Sequence, residues 1–256
     1  MILAAVGFAV GMALGLTGAG GSILAVPLLM LALDLGPQEA MGISLGAVSA
    51  AAMVGVVVRR RKQPPQINIA LSLAATGVIA APVGRWLAHQ IDERVIIVMF
   101  SLLASFVAVK MWRGANCLSE PDTAPESTAT AKKSSQHFVF LAAGVGLGLL
   151  SGLLGVGGGF VIVPFLVLYA GMRIEQAVST SLLVIALVGM SGYSYHALTT
   201  EGMHAAALVM IGVGSVVGIF SGCALSARIS APTLQRTFSA SVVFLMSYML
   251  LGAFSS

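Results

Sequence analysis

Charge is what this chain has least of. Only 9% of its 256 residues are Asp, Glu, Lys or Arg, against about 25% in an average soluble protein. A water-soluble globule must cover its outside with polar groups, and too few are present here. Intramembrane acids are missing too: Asp34, Glu39, Asp92, Glu93, Glu175 and Glu201 all fall at the ends of apolar segments. That leaves no visible carboxylate for an acid-based proton relay. His89, His137, His196 and His204 are terminal and scattered, and no H-E-x-x-H motif, His/Cys cluster or Ser/His/Asp set is present. No enzyme, cofactor or metal site is therefore expected. Cysteine is limited to Cys117 and Cys223, in unlike contexts, and no disulfide is expected between them.

What the chain does have is apolar length. It is 58% hydrophobic, in runs too long and too little alternating for an outer-membrane barrel, so the fold class is all-α and polytopic. Apolar segments lie at about 1–33, 40–58, 67–88, 95–112, 138–170, 177–198, 204–227 and 233–254, seven or eight in all. The first segment has no basic start and continues past Pro27, so it is read as part of the fold and not as a signal peptide. The net charge of +4 comes mostly from loop Lys and Arg, which report topology and not nucleic-acid binding. Residues 114–136, rich in Ser, Thr, Pro and charge, read as a mobile extramembrane linker.

That linker separates two transmembrane repeats, 1–113 and 137–256. A shift of 137 positions lays Gly7, Gly11, Gly15, Gly18, Gly20, Gly21 and Pro27 on Gly144, Gly148, Gly152, Gly155, Gly157, Gly158 and Pro164. The same shift pairs Ala40, Ser44 and Leu45 with Ala177, Ser181 and Leu182. The first segment of each repeat would be a helix of about 50 Å, against a hydrocarbon core of about 30 Å. Interior glycine costs about 1 kcal/mol and proline about 3, so each first segment should break at its glycines. It then forms either a re-entrant hairpin or a tilted, broken span. If every segment crosses, eight Lys and Arg face five; if the first segments are re-entrant, only Arg85 and Arg94 oppose the other eleven. The second arrangement obeys the positive-inside bias and makes the repeats inverted, with both termini outside.

The breaks are the candidate site. Gly20-Gly21-Ser22 and Gly157-Gly158-Gly159 each open a half-helix whose first N–H groups lack intrahelical partners and whose dipole is positive there. Such ends hold anions without any buried Lys or Arg. Ser44, Thr180 and Ser181 open the next helix of each repeat and are candidate substrate donors. Thr17, Ser22 and Ser151 also lie near the breaks. Packing is the competing explanation: Gly7-x3-Gly11-x3-Gly15 and Gly144-x3-Gly148-x3-Gly152 are small-residue ridges that let helices touch. Asn68, Ser72 and Thr76 share one helical face and either line a path or pack. Arg85 and Arg228 are expected to snorkel, Arg59–Lys62 to anchor topology, and Trp86 and Trp112 to sit in interfacial belts.

The paired runs Gly11–Leu28 and Gly148–Leu166, each followed by an A-x3-(S/T)-S-L-like helix start, resemble the sulfite exporter TauE/SafE family over nearly the whole chain. Ser22 stands where the second repeat has Gly159, and the linker is long. The resemblance implies a bacterial inner-membrane, multi-pass permease for small sulfur-containing anions such as sulfite, sulfoacetate and other organosulfonates. A passive anion channel using the same site is the alternative. The expected partners are a small anionic substrate and the lipid bilayer, with no nucleic acid. The anion, the direction, the coupling ion and any homo-oligomer stay open.

Overall fold

A computed structural model of the chain describes residues 2–33, 35–60, 63–117, 133–199 and 205–226, together with 240, 242–244 and 247. Outside the described residues lie most of the expected last segment, the middle of the linker, Asp34, Arg61, Lys62, Lys132, Glu201, His204, Arg228 and Arg236. The described secondary structure is helical throughout: α1 (Ile2–Thr17), a 3-10 helix (Gly18–Leu24), α2 (Ala25–Leu33), α3 (Pro37–Arg59), α4 (Ile67–Gln90), α5 (Glu93–Cys117), α6 (Lys133–Leu154), α7 (Gly159–Ala170), α8 (Ile174–Thr199) and α9 (Ala205–Ser226). Helix claims both ends of the stretch read as linker, because α5 runs on to Cys117 and α6 already begins at Lys133. Three helices are long and apolar enough to cross a membrane, Pro37–Arg59, Ile67–Gln90 and Glu175–Thr199, and shorter apolar helices accompany them. The protein is a membrane protein by this measure.

The termini of α3 follow local chemistry. Pro37 occupies its first turn, where the missing N–H is not needed, Glu39 sits at the positive end and Arg59 at the negative end. In α7 the chain leaves through Gly171 in the left-handed conformation, which a residue with a Cβ adopts only at a cost.

Glycine ridges set the packing. Along α1, Gly7, Gly11 and Gly15 lie against the backbone of α9 at Ile211, Ser215 and Ile219, and Gly218 and Gly222 answer from α9 against Phe8 and Met12. Along α6, Gly144, Gly148 and Gly152 lie against α4 at Leu73, Gly77 and Ala81, and Gly84 answers against Leu149. A side chain at most of these points would overlap main-chain atoms of the neighbour. The packing explanation therefore holds for both ridges. Each expected half thus lays its first helix on the other half: α1 on α9, and α6 on α4.

The same contacts fix direction. Residue numbers rise together along α1 and α9, and along α4 and α6, so each pair is parallel. They oppose along α3 and α8, where Gly42 meets His196, Ser49 meets Gly189 and Gly55 meets Leu182. Helices α4 and α8 run parallel, with Val78 beside Ser191 and Arg85 beside His196. Hence α1, α3 and α9 end at one face, near Arg59, which bonds the Gly15 carbonyl at 2.9 Å. Helices α4, α6 and α8 end at the other face, near Arg85. Because α6 and α8 run the same way, α7 must run back between them. The Phe140–Phe165 ring contact and the Gly158–Leu147 approach show that return. Helices α1 and α3 likewise agree in direction, with Gly21 folded back on Ala13 and Leu14. Both first segments are hairpins.

A buried hairpin candidate functional site

The second break is an open turn. Gly155, Gly157 and Gly158 all have positive φ, and Gly158 caps the start of α7. Its position is set by neighbours. Gly155 lies against Met41 in the second turn of α3, while Gly157 lies between Val48 and Ile185, in the middle of α3 and α8. The hairpin tip therefore passes the middle of the molecule toward the Arg85 face, and α7 starts from near mid-depth. At its start, Val161 and Ile162 both donate to the Gly158 carbonyl, at 3.1 and 3.3 Å. The amides of Gly159 and Phe160 have no intrahelical acceptor by position, and the positive end of α7 points toward the Arg85 face.

The first break is built differently. Gly20, Gly21 and Ser22 lie within the 3-10 helix, and a regular α-helix resumes only at Ala25. That segment packs against α7 and α8, so the two breaks meet inside the molecule. Ser22 is fully buried and engaged. The repeat expected from the sequence thus carries one continuous, tightened break and one open one.

The hydroxyl candidates divide. Ser44 is fully buried and donates to the Met41 carbonyl at 3.0 Å and to the Gly155 carbonyl across the hairpin tip. It ties α3 to the second break. Ser181, its repeat equivalent, donates to the Val178 carbonyl at 2.8 Å. Thr180 accepts the N–H of Gln66, the cap of α4, at 3.0 Å, so its oxygen serves a helix start near the Arg59 face. Of the path candidates, Ser72 bonds the Asn68 carbonyl and Thr76 the Leu141 carbonyl of α6, both at 2.9 Å. Both are packing bonds. Four buried serines outside the expected donor set, Ser101, Ser151, Ser179 and Ser215, have no hydrogen-bond partner among the described residues, and of these Ser151 lies at the second break. The Cβ of Ser151 lies 3.5 Å from where a Cβ on Gly158 would stand.

Arg85 departs furthest from expectation. In place of snorkelling it is fully buried. Its Nη2 donates to the Gln38 carbonyl and to Nδ1 of His196, the latter at 3.2 Å. Since a guanidinium only donates, Nδ1 is the unprotonated ring nitrogen and neutral His196 carries its proton on Nε2. Gly42 gives the imidazole its room, because a Cβ there would overlap the ring. A signal for this burial exists in the sequence: Gly77, Ala81 and Arg85 recur at helical spacing on the stripe that holds Gly84 and Ala88, all buried. Trp86, next in sequence, is half exposed.

A crevice of about 390 Å³ between α5 and α6 is lined by Met99, Leu102, Leu103, Leu150 and Leu154. It offers no polar group for an anion. At the hairpin tip, Ser44, Ser151 and Gly155–Gly159 are all buried, so the site is closed to both faces.

Comparison with known proteins is consistent over the full length. The family model described as sulfite exporter TauE/SafE matches residues 3–249. A "Probable membrane transporter protein" of Xylella fastidiosa is 32% identical over 96% of this chain and 93% of its own. Proteins with the same description are 29% identical in Methanocaldococcus jannaschii, over 78% of this chain and 74% of that protein, and 25% identical in Bacillus subtilis, over 90% and 91%. No solved structure matches the chain.

Proposed function

This chain belongs to the sulfite exporter TauE/SafE family of membrane transporters, and from that premise we propose that it is a multi-pass inner-membrane exporter of a small sulfur-containing anion, sulfite or an organosulfonate. The observation that carries the reading is the start of α7. A half-helix N-terminus sits buried near mid-depth, with the unpartnered Ser151 hydroxyl beside it. Such an end supplies donors and a positive field to an oxyanion without a mobile counter-charge. Gly157, Gly158 and Gly159 let the anion reach the backbone, and Gly20, Gly21 and Ser22 close the site from the other hairpin. Ser44 ties the second tip to α3, Ser181 bonds within its own helix, and Thr180 lies at the rim.

Two inverted repeats, 1–113 and 137–256, are supported by the opposed directions of α1 and α6, of α3 and α8, and of α4 and α9. With both first segments folded as hairpins, Arg59, Arg60, Lys133 and Arg173 belong to one face, and Arg85 and Arg94 to the other. The positive-inside bias makes the Arg59 face cytoplasmic. Gln63→Cys and Gln90→Cys test this. In intact cells a membrane-impermeant maleimide should label the cysteine at 90 and spare the one at 63; the reverse pattern inverts the topology.

A closed mid-depth site favours alternating access over an open channel. Accumulation of sulfite in proteoliposomes against its own gradient, under an imposed proton or sodium gradient, is expected, and strictly downhill flux would favour the channel. For the site itself, Gly158→Leu is expected to lower sulfite or sulfoacetate flux at least tenfold, about 1.4 kcal/mol in transition-state terms. Flux and binding unchanged in this variant would remove the second break from the mechanism.

A further inference from the structure

Arg85 holds more hydrogen-bonding capacity than the protein uses. A guanidinium carries five N–H donors. Two are met by Gln38 and His196, and the three on Nε and Nη1 are buried with no partner among the described residues. Among the described residues no carboxylate bonds it. Gln38 adds a third open atom: its amide nitrogen donates to the Ala88 carbonyl at 2.7 Å, and its Oε1 is buried with no partner among the described residues. A buried cation in this state is costly unless something pairs with it.

The surroundings say what that something is. Arg85 starts from beside the second break, since a Cβ on Gly152 would stand 2.8 Å from its backbone nitrogen. Gln38, which it bonds, lies one helical turn from Met41, which abuts Gly155. The positive end of α7 points the same way. A fixed positive charge and three open donors thus stand on the side of the hairpin tip to which the positive end of α7 points. With one more residue of offset, which lays Gly84 on Gly222, the repeat equivalent of Arg85 is Cys223; at the shift of 137 that of His196 is Arg59, so the other break has its own arginine, bonded to Gly15.

We propose that Arg85, braced by His196 and Gln38, is a second anion-binding site at the outer end of the second hairpin, where a small oxyanion pairs with Nε and Nη1 on its way between the mid-depth site and the outer face. Gln38 Oε1 accepts the proton of a hydrogen-bearing oxyanion or of a water bound with it. The site deepens the transport reading but does not depend on where in the breaks the mid-depth site lies.

The test uses the purified full-length protein in detergent, titrated with sodium sulfite, sulfate and acetate against sodium chloride at equal ionic strength. Thermal midpoint and Trp86 fluorescence are followed. At least one oxyanion should stabilise the wild type. Arg85→Gln should weaken that response about 100-fold, the scale of losing two charge-assisted hydrogen bonds, while the anion-free midpoint holds or rises because an unpaired buried charge is gone. Arg85→Lys keeps the charge without the fork and should lose about tenfold, which keeps the test open if the glutamine variant fails to fold. A wild type without any oxyanion response overturns the proposal, and so does a wild-type response in the folded Arg85 variants. Loss of flux in Gly158→Leu beside normal binding in both arginine variants would sink this site and leave the transport reading intact. The opposite result would sink the breaks and leave Arg85.

Discussion

Leucine in place of Gly148 is expected to leave no folded protein, while leucine in place of Gly146, two residues earlier on α6, leaves it intact. Gly148 lies against Gly77 and Ala80, where a Cβ would stand 2.5 Å from the Gly77 carbonyl oxygen and 2.7 Å from its Cα. Gly146 has nothing among the described residues within 4 Å of the same added atom. The obstruction at Gly148 is main chain, which has no rotamer to move. Accommodating leucine therefore means separating α6 from α4 along the ridge that also holds Gly144 and Gly152. Overpacking in a close-fitting core costs about 1–3 kcal/mol and occasionally more. Here the lost contact runs the length of two helices, against a total stability of about 5–15 kcal/mol. In a membrane no hydrophobic drive restores such an interface, because lipid is as apolar as the helix. Size-exclusion of detergent extracts measures it: a monodisperse peak for Gly146→Leu, aggregate or nothing for Gly148→Leu. A monodisperse Gly148→Leu would mean that α4 and α6 are not in this contact.

The same helix shows how far sequence reasoning reaches. Glycines at a spacing of four announce a ridge, and the ridge is where the pattern puts it. The pattern does not name the partner. Nothing in the spacing of Gly144, Gly148 and Gly152 says that they meet α4, since parallel and antiparallel neighbours use the same ridge. The breaks were legible for the same local reason, as glycine and proline have a fixed helix cost. Their unlike forms were not, because a 3-10 continuation at Gly18–Leu24 and an open turn at Gly155–Gly158 differ through what they fold back against. Arg85 shows the limit most sharply. A cation near the end of an apolar segment has two homes, the interface and a bonded interior, and lateral packing decides between them. Its neighbours Gln38 and His196 are distant in sequence, and the room for the imidazole is made by Gly42. Only the phase of Arg85 on the small-residue stripe of α4 carried a hint.

The tip of the second hairpin supports a sharper contrast. Gly155 and Gly171 both hold positive φ, 69° and 60°, which for a residue with a Cβ costs about 1–2 kcal/mol. At Gly171 a Cβ meets nothing among the described residues within 4 Å; at Gly155 it would stand 2.6 Å from the Cα of Met41 and also overlap that side chain. Gly171→Ala therefore carries only the backbone cost, at the surface end of α7, and should transport like the parent. Gly155→Ala adds a clash with the second turn of α3, about 1–3 kcal/mol more. The tip can relieve that only by moving away from Met41, which breaks the bond from Ser44 to the Gly155 carbonyl and withdraws the start of α7 from mid-depth. Because the ridges between α6 and α4 are untouched, the protein should still insert and purify as a single species. Its flux should fall on the order of 100-fold, at about 1.4 kcal/mol for each tenfold. Ser44→Ala separates the parts of this effect. It removes the tie without moving the backbone, so a smaller loss, about tenfold, is expected from one buried hydrogen bond. Sulfite efflux from proteoliposomes, normalised to purified protein, ranks the three. The order Gly171→Ala, Ser44→Ala, Gly155→Ala from mildest to most severe follows if the seat of the tip on α3 sets the site. Equal losses at Gly155 and Gly171 would show that backbone strain alone matters, and that the contact with Met41 does not.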